Sequence, residues 1–322
     1  MRRELPQACQ ELADFQSGVV SRQQAISAGM DEASIDGLLR SRRWQSLQRG
    51  SYAVFTGEPS REAQLWAILH RAGADAVFSH QTAAELFRLI DRPSPLIHVT
   101  IPVDRRVDGV PAGVVVHRSR RAVEACHPAM VPPRTRIEET VLDLAQQADT
   151  FDVAFNWTCS ACQRRLTTAA RIDAAMTERS RMRWRADLAV ALADIRDGVH
   201  SLLEFRYVRG VERAHGLPKA VRQVKIIQGI RTGYLDNLYD DYCLCVELDG
   251  RAAHPDDRRW EDAHRDNASA AGGRATLRYN WADVSARPCA VAWQVGCALR
   301  RGGWPGRIHP CGPGCAVAAY TS

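Results

Sequence analysis

The chain has 322 residues, 45% of them hydrophobic and 25% charged, with a formal net charge of +6. That balance excludes a disordered or collagen-like chain, and no apolar run reaches the ~20 residues of a membrane-spanning helix. The length suits about two domains of ~150 residues, and the opening Met1 to Gln7 lacks the apolar stretch of a signal peptide, so a cytoplasmic protein with no membrane partner is expected.

The positive charge is almost all arginine: 41 Arg stand against two lysines, Lys219 and Lys225. Residues 201–322 hold 17 basic and 13 acidic side chains, so four of the six excess charges lie there. A polyanionic partner follows from that bias.

The first 60 residues read as helices over Gln7 to Phe15 and Arg22 to Ala28, the latter capped by Ser21 and stopped by Gly29. Asp31 caps a third helix with Ile35, Leu38 and Leu39 on one face. Short strands, Trp44 to Leu47 and Ser51 to Phe55, flank a turn at Gln48-Arg49-Gly50. Three helices and a hairpin predict a winged helix-turn-helix over 1–60, whose later helix would enter a DNA groove. Asp31, Glu32 and Asp36 open that helix on an acidic note; the candidate DNA contacts are Arg40, Arg42 and Arg43 at its far end and Arg49 on the wing.

Residues 61–150 read as a mixed domain. Helices are expected over Arg61 to Arg71 and Arg134 to Ala148, and strands over Ile97 to Ile101 and Val114 to His117. His80, just after a Ser79 cap, is expected to be structural. Residues 151–198 read as a helical connector. These first 150 residues resemble the AbiEi-type antitoxin family of type IV toxin–antitoxin systems. The matching stretches are Gly18-Val-Val-Ser-Arg-Gln-Gln-Ala25, Trp44-Gln-Ser-Leu-Gln-Arg-Gly-Ser-Tyr52, Ser79-His-Gln-Thr-Ala-Ala84 and Arg136-Ile-Glu-Glu-Thr-Val-Leu-Asp-Leu144. The resemblance implies a winged helix that binds its own promoter, and a cognate toxin as a partner.

The region 199–300 reads as α-β-β-β-α-β: a helix from Ser201, strands over Val221 to Ile227, Tyr234 to Tyr239 and Cys243 to Leu248, a helix over Arg258 to Ala271 and a strand over Ala275 to Tyr279. Glu247 falls in an apolar run expected to be a central, buried strand, and Asp236 in the neighbouring strand among apolar residues. Two acids on adjacent central strands repel each other unless a divalent cation lies between them, and hard cations such as Mg²⁺ take carboxylate oxygens. Such a cation activates water and stabilises charge on a phosphodiester.

Residues 198–285 resemble the PD-(D/E)XK restriction-endonuclease fold, in the branch related to very-short-patch-repair endonucleases. The resemblance rests on Val246-Glu-Leu-Asp-Gly-Arg-Ala-Ala-His254, Arg265-Asp-Asn267 and Leu277-Arg-Tyr-Asn-Trp281. It implies Asp236 and Glu247 as ligands of Mg²⁺ or Mn²⁺. Glu204 would be the helix acid beside the metal, and His254 a general acid or base. Asp249 stands where the motif usually has lysine, which the related repair enzymes also lack, and is a further catalytic candidate. Arg278 is read as a phosphate contact or a salt-bridge partner.

Among the ten cysteines, Cys159-Ser-Ala-Cys162 is a C-x-x-C without a second pair at zinc-finger spacing, and Cys311 and Cys315 lie far away. Ordinary reduced thiols are expected, with a zinc site shared by these four as the alternative. Residues 301–322, rich in Gly, Pro and Cys, read as an irregular tail. The expected whole is an α+β multidomain protein that binds DNA and cleaves or nicks it with a divalent metal. The alternative is a non-catalytic regulator or antitoxin.

Overall fold

A computed structural model describes residues 5–228, 231–249 and 273–320. It is a mixed α+β chain with many short helices and three small sheets. Among the described residues no helix is long and apolar enough to cross a membrane. The chain divides into two compact units, one of residues 1–148 and 160–181, the other of 149–159 and 182–322. The stretch expected as a connector is therefore shared between the units. A helix, Phe151–Gln163, contributes its first part to the second unit and its last residues to the first.

In the first unit, α1 (Gln7–Phe15), α2 (Arg22–Ser27) and α3 (Glu32–Arg40) surround an apolar cluster that includes Cys9, Ala25, Ile35 and Trp44. Ser21 and Gln24 form a reciprocal capping box on α2, and the Asp31 carboxylate caps α3 through the Ser34 N–H at 2.7 Å. Between the two helices Gly29 takes φ +95°, which lets the chain reverse without a Cβ clash. Strands β1 (Val19–Ser21), β2 (Gln45–Gln48) and β3 (Ser51–Ala53) form an antiparallel sheet with β3 in the middle.

A second layer of this unit holds α4 (Arg61–Ala72), β4 (Val77–Phe78), α5 (His80–Leu86), β5 (Ile97–Pro102) and β6 (Val114–Ser119). Strand β5 is central, antiparallel to β4 and parallel to β6. The helices α6 (Ala122–Ala125), α7 (Ile137–Gln147) and α9 (Ala169–Thr177) complete the unit, and the shared helix is α8 (Phe151–Gln163). On α7, Glu139 and Asp143 both pair with Arg179, the Asp143 contact at 2.8 Å.

The second unit begins with the first part of α8 and α10 (Arg185–Arg196), which pack Phe155, Cys159 and Ala191 against Phe205 and Val208. Next comes α11 (Leu202–Tyr207), which widens into a π-helical turn over Val208–Arg213. Strands β7 (Val221–Gln228), β8 (Arg231–Tyr239), β9 (Leu244–Asp249) and β10 (Ala275–Asn280) form one sheet in the order β10-β9-β8-β7. The β7–β8 and β8–β9 pairs are antiparallel, and β9–β10 is parallel. The helix expected over Arg258 to Ala271, and His254 before it, lie outside the described residues. After β10 come α12 (Trp281–Ala286), α13 (Pro288–Arg301) and α14 (Ala316–Tyr320).

The segment expected as an irregular tail nonetheless carries core residues in its described part, up to residue 320. Ile308, Cys315 and Val317 are buried in the main core of this unit, with Leu244, Val246, Val295 and Leu299. Glycine and proline leave little regular structure there, but the few apolar side chains seal the core. A polar network crosses the same interior. The Arg222 guanidinium meets the Glu212 carboxylate at 2.6 Å, with side chains 1% and 3% exposed. Glu212 also accepts from the Ala220 N–H and the Tyr239 hydroxyl, and Tyr239 meets Tyr207 at 2.9 Å.

Candidate functional site

The carboxylate candidates gather on the sheet of the second unit. The β8–β9 ladder pairs Asn237 with Val246, and one further step of that register sets Asp236 against Glu247. Across the parallel pair, Arg278 of β10 lies opposite Glu247. Paired residues of neighbouring strands share a face, so Asp236, Glu247 and Arg278 form a row across β8, β9 and β10. The other face of β9 carries Leu244 and Val246 into the core. Alternation along β9 thus puts Leu244 and Val246 on the core face and Glu247 on the face it shares with the buried Cys245.

Burial of the acids is less than the apolar run around Glu247 suggests. Asp236 and Glu247 are half-buried, and the fully enclosed polar residue is their neighbour Asn237. Asn237 donates to the Val246 carbonyl at 3.4 Å. Asp236 accepts the Leu248 N–H at 2.8 Å. Burial raises its pKa above the ordinary carboxylate value; the Leu248 N–H offsets part of this, and the charge of Asp249 adds to the rise. Glu247 accepts from the Cys245 thiol at 3.2 Å. Asp249, at the exposed end of β9, stands 4.0 Å from the Arg278 guanidinium.

Glu204 lies at the start of α11, where Ser201 caps the helix. One Glu204 oxygen accepts the His200 N–H at 2.8 Å and the other the Ser201 hydroxyl at 3.0 Å. Ser201 caps the helix through the Glu204 N–H, and the Glu204 carboxylate returns bonds to the residues just before the helix, which explains locally why an acid stands there. Burial raises the Glu204 pKa, and beyond the opposing His200 hydrogen bond, the charge of Asp236 pushes it the same way. Gln223 of β7 donates to Glu204 at 3.4 Å and also bonds Asp236, which ties the two acids together.

The oxygen set has the hard donors a divalent cation takes; burial first, then the charge of Asp236 on Glu204 and of Asp249 on Asp236, raises the Glu204 and Asp236 pKa values. Oxygen donors of this kind are the type that Mg²⁺ or Mn²⁺ takes.

The exposed arginines of the first unit stand where the sequence places them. Arg40, Arg42, Arg43 and Arg49 are all solvent-exposed. The acids of α3 are largely neutralised within the unit: Arg22 of α2 meets Asp36 at 3.2 Å and Glu32 at 3.4 Å, and Asp31 is taken up in its cap.

Among the described residues, the ligand-type atoms that close to within 4.8 Å of one another are found elsewhere, in two groups. One is His80, His98 and His117 in the first unit. His98 Nδ1 and His117 Nε2 are 3.0 Å apart, and the His80 and His117 rings stack at 3.8 Å with planes 16° apart. Imidazole lone pairs lie in the ring plane, so nearly parallel stacked rings cannot aim at one ion. The group instead forms a neutral network that continues from His80 Nδ1 to Ser79 and Thr100. Burial, then the neighbouring His117, holds His80 down to about 2, and burial holds His117 down to about 4. His80 is thus structural, and its φ of +50° reflects the tight entry into α5.

The other group is His215, Cys289, Cys311 and Cys315 in the second unit. Sequence spacing missed it, because its four members come from three distant segments. Cys159 and Cys162 are not part of it; Cys159 is buried against Phe155 and Phe205.

No family model matches the chain, and no curated protein matches it. Among solved structures it is similar to the RV2827C protein from Mycobacterium tuberculosis, at 18% identity and a TM-score of 0.40, over 58% of this chain and 74% of that one. A likeness of that size leaves fold family and function to be read from the chain itself.

Proposed function

We propose that the protein binds DNA and that its second unit cleaves or nicks phosphodiesters with Mg²⁺ or Mn²⁺. The observation that carries this reading is the acid–acid–arginine row of Asp236, Glu247 and Arg278 on three adjacent strands, with Glu204 tied to it through Gln223. The sheet order, with its antiparallel first three strands and parallel fourth, supports an endonuclease-like fold of the PD-(D/E)XK kind. The helices and hairpin of the first unit support a winged helix, with Arg40, Arg42, Arg43 and Arg49 as its phosphate contacts.

In this reading Asp236 and Glu247 hold the cation, which supplies charge neutralisation at the phosphate and a more acidic bound water. The Leu248 N–H and the Gln223 side chain hold the Asp236 carboxylate in place. Glu204 orients water beside Asp236, held by its own helix cap. Arg278 offers a cation to the phosphate, competing with Asp249 for it. His254 keeps the proton-transfer role that the resemblance implies.

Incubation of supercoiled plasmid with Mg²⁺, Mn²⁺ or EDTA tests the reading. Metal-dependent nicking that Asp236→Asn and Glu247→Ala abolish is expected; nicking that both variants retain would sink it. The capped state of both Glu204 oxygens favours a second reading, a DNA-binding regulator or antitoxin whose acids are structural. That reading requires operator binding to survive in both variants with no cleavage by the wild type.

A further inference from the structure

The group of His215, Cys289, Cys311 and Cys315 has the dimensions of an ion-binding site. A tetrahedral zinc ion has Zn–S near 2.3 Å and Zn–N near 2.0–2.1 Å, which sets S···S at about 3.8 Å and S···N at about 3.6 Å. Cys289 Sγ and Cys311 Sγ are 3.7 Å apart, and Cys315 Sγ and His215 Nε2 are 3.6 Å apart. All four ligand atoms lie within 4.8 Å of one another. A disulfide needs sulfurs at about 2.05 Å, so the cysteine pair is spaced for an ion and not for a bond.

The histidine is prepared for the task. His215 is fully buried, and its Nδ1 lies 3.1 Å from the Val211 carbonyl. A carbonyl brings no proton, so the proton sits on Nδ1 and the lone pair on Nε2, the atom that faces Cys315. Metal-bound histidines are oriented in this way by a second hydrogen bond. Cys289 stands in the first turn of α13, directly after Pro288, where the helix end favours a thiolate. The loop Cys311-Gly-Pro-Gly-Cys315 folds back on itself, with Cys315 N–H bonding the Gly312 carbonyl and Gly314 at φ +77°. That conformation suits glycine and brings two sulfurs round to one side.

We propose that His215, Cys289, Cys311 and Cys315 bind one structural Zn²⁺. Three thiolates and an imidazole are the soft donor set that selects zinc over the hard cations assigned to the carboxylate row. Four protein ligands leave no open position, so the ion is structural rather than catalytic. It joins the turn after the π-helical segment, the start of α13 and the C-terminal loop. This explains how a Gly- and Pro-rich segment is fixed against the core through Ile308 and Val317. The inference does not depend on the nuclease reading.

The test uses the full chain, purified without chelator, with bound metal measured by mass spectrometry. A sample stripped with a chelator is then refilled with Zn²⁺ or Co²⁺. One equivalent of zinc, a lower melting temperature after stripping and the strong visible absorption of tetrahedral thiolate-bound cobalt are the expected results. Cys311 is exposed, so Cys311→Ser should fold and weaken zinc binding by at least about tenfold. Cys297→Ser, on the same helix but outside the group, should bind as the wild type does. Zinc below about a tenth of an equivalent after refilling, with melting unchanged by chelator, would overturn the proposal. So would full loading in both Cys311→Ser and Cys289→Ser. If Cys311→Ser fails to fold, the wild-type cobalt spectrum decides: a pale octahedral spectrum refutes the site, and a tetrahedral thiolate spectrum supports it.

Discussion

Asp236, which the proposed function makes a metal ligand, sits where its charge is disfavoured by the fold. Burial, and after the opposing Leu248 N–H the charge of Asp249, hold its pKa above that of a free aspartate. Ionising Asp236 therefore costs more in the folded chain than in the unfolded one, and the charged form weakens the fold at neutral pH. Asp236→Asn is expected to raise stability by on the order of 1 kcal/mol at pH 7 while abolishing metal-dependent cleavage. The gain should vanish as pH falls through the ordinary aspartate range, where the wild-type group is neutral too. Urea titration at pH 7 and pH 4 checks both signs. Exposed arginines act differently. If the first unit binds DNA as proposed, removing one of its phosphate contacts, by Arg42→Ala or Arg43→Ala, should reduce the salt slope of binding by about 0.9, with the melting temperature unchanged. Fluorescence anisotropy on a duplex across a salt series measures it, and an unaltered slope in the double variant would remove these residues from the interface.

At the scale of elements, the buried pair Arg222–Glu212 joins β7 to the π-helical turn. Removing one partner strands the other charge in an apolar core, so Arg222→Ala should destabilise the second unit by about 3–5 kcal/mol. Chemical denaturation measures the loss. The imidazole stack on α5, β5 and β6 gives the first unit a pH dependence. A free histidine takes a proton near pH 6.5, whereas His117 resists until about 4 and His80 until about 2. As pH falls below about 6.5 the unfolded chain gains protons that the fold refuses, and stability falls by about 1.4 kcal/mol per pH unit for each such histidine. Above that pH the contribution is complete. His80→Asn, which tolerates the left-handed φ, should flatten the dependence between pH 6.5 and 5. Sequence patterning made much of this level legible. The caps at Ser21 and Asp31 and the strands around Asp236 and Glu247 are local signals, written within a few residues. The stack and the His215–cysteine group were not legible, since His80, His98 and His117, like His215 and Cys289, meet only after the chain has folded. Local spacing also overstated the burial of Glu247, because an apolar run does not say which face of a strand is covered.

For the whole molecule, the division into units governs what can be cut. With 151–198 expected as a connector and 199–300 as a separate region, a boundary falls at residue 199, yet Phe155 is fully buried against Phe205 in the second unit. A fragment of residues 199–322 therefore lacks part of its own core. Deleting a buried phenylalanine ring costs about 3–5 kcal/mol, so this fragment should melt well below one of residues 149–322. Equal melting temperatures would show that the packing of α8 contributes nothing. The interleaving also has a consequence during synthesis. Translation delivers residues 149–159 before 160–181, but the two pieces belong to different units. Phe151 and Phe155 leave the ribosome about fifty residues ahead of Phe205, the ring they pack against. For that interval the nascent chain shows an apolar helix end with no cover, a surface on which a holdase chaperone or an early misfolded contact can act.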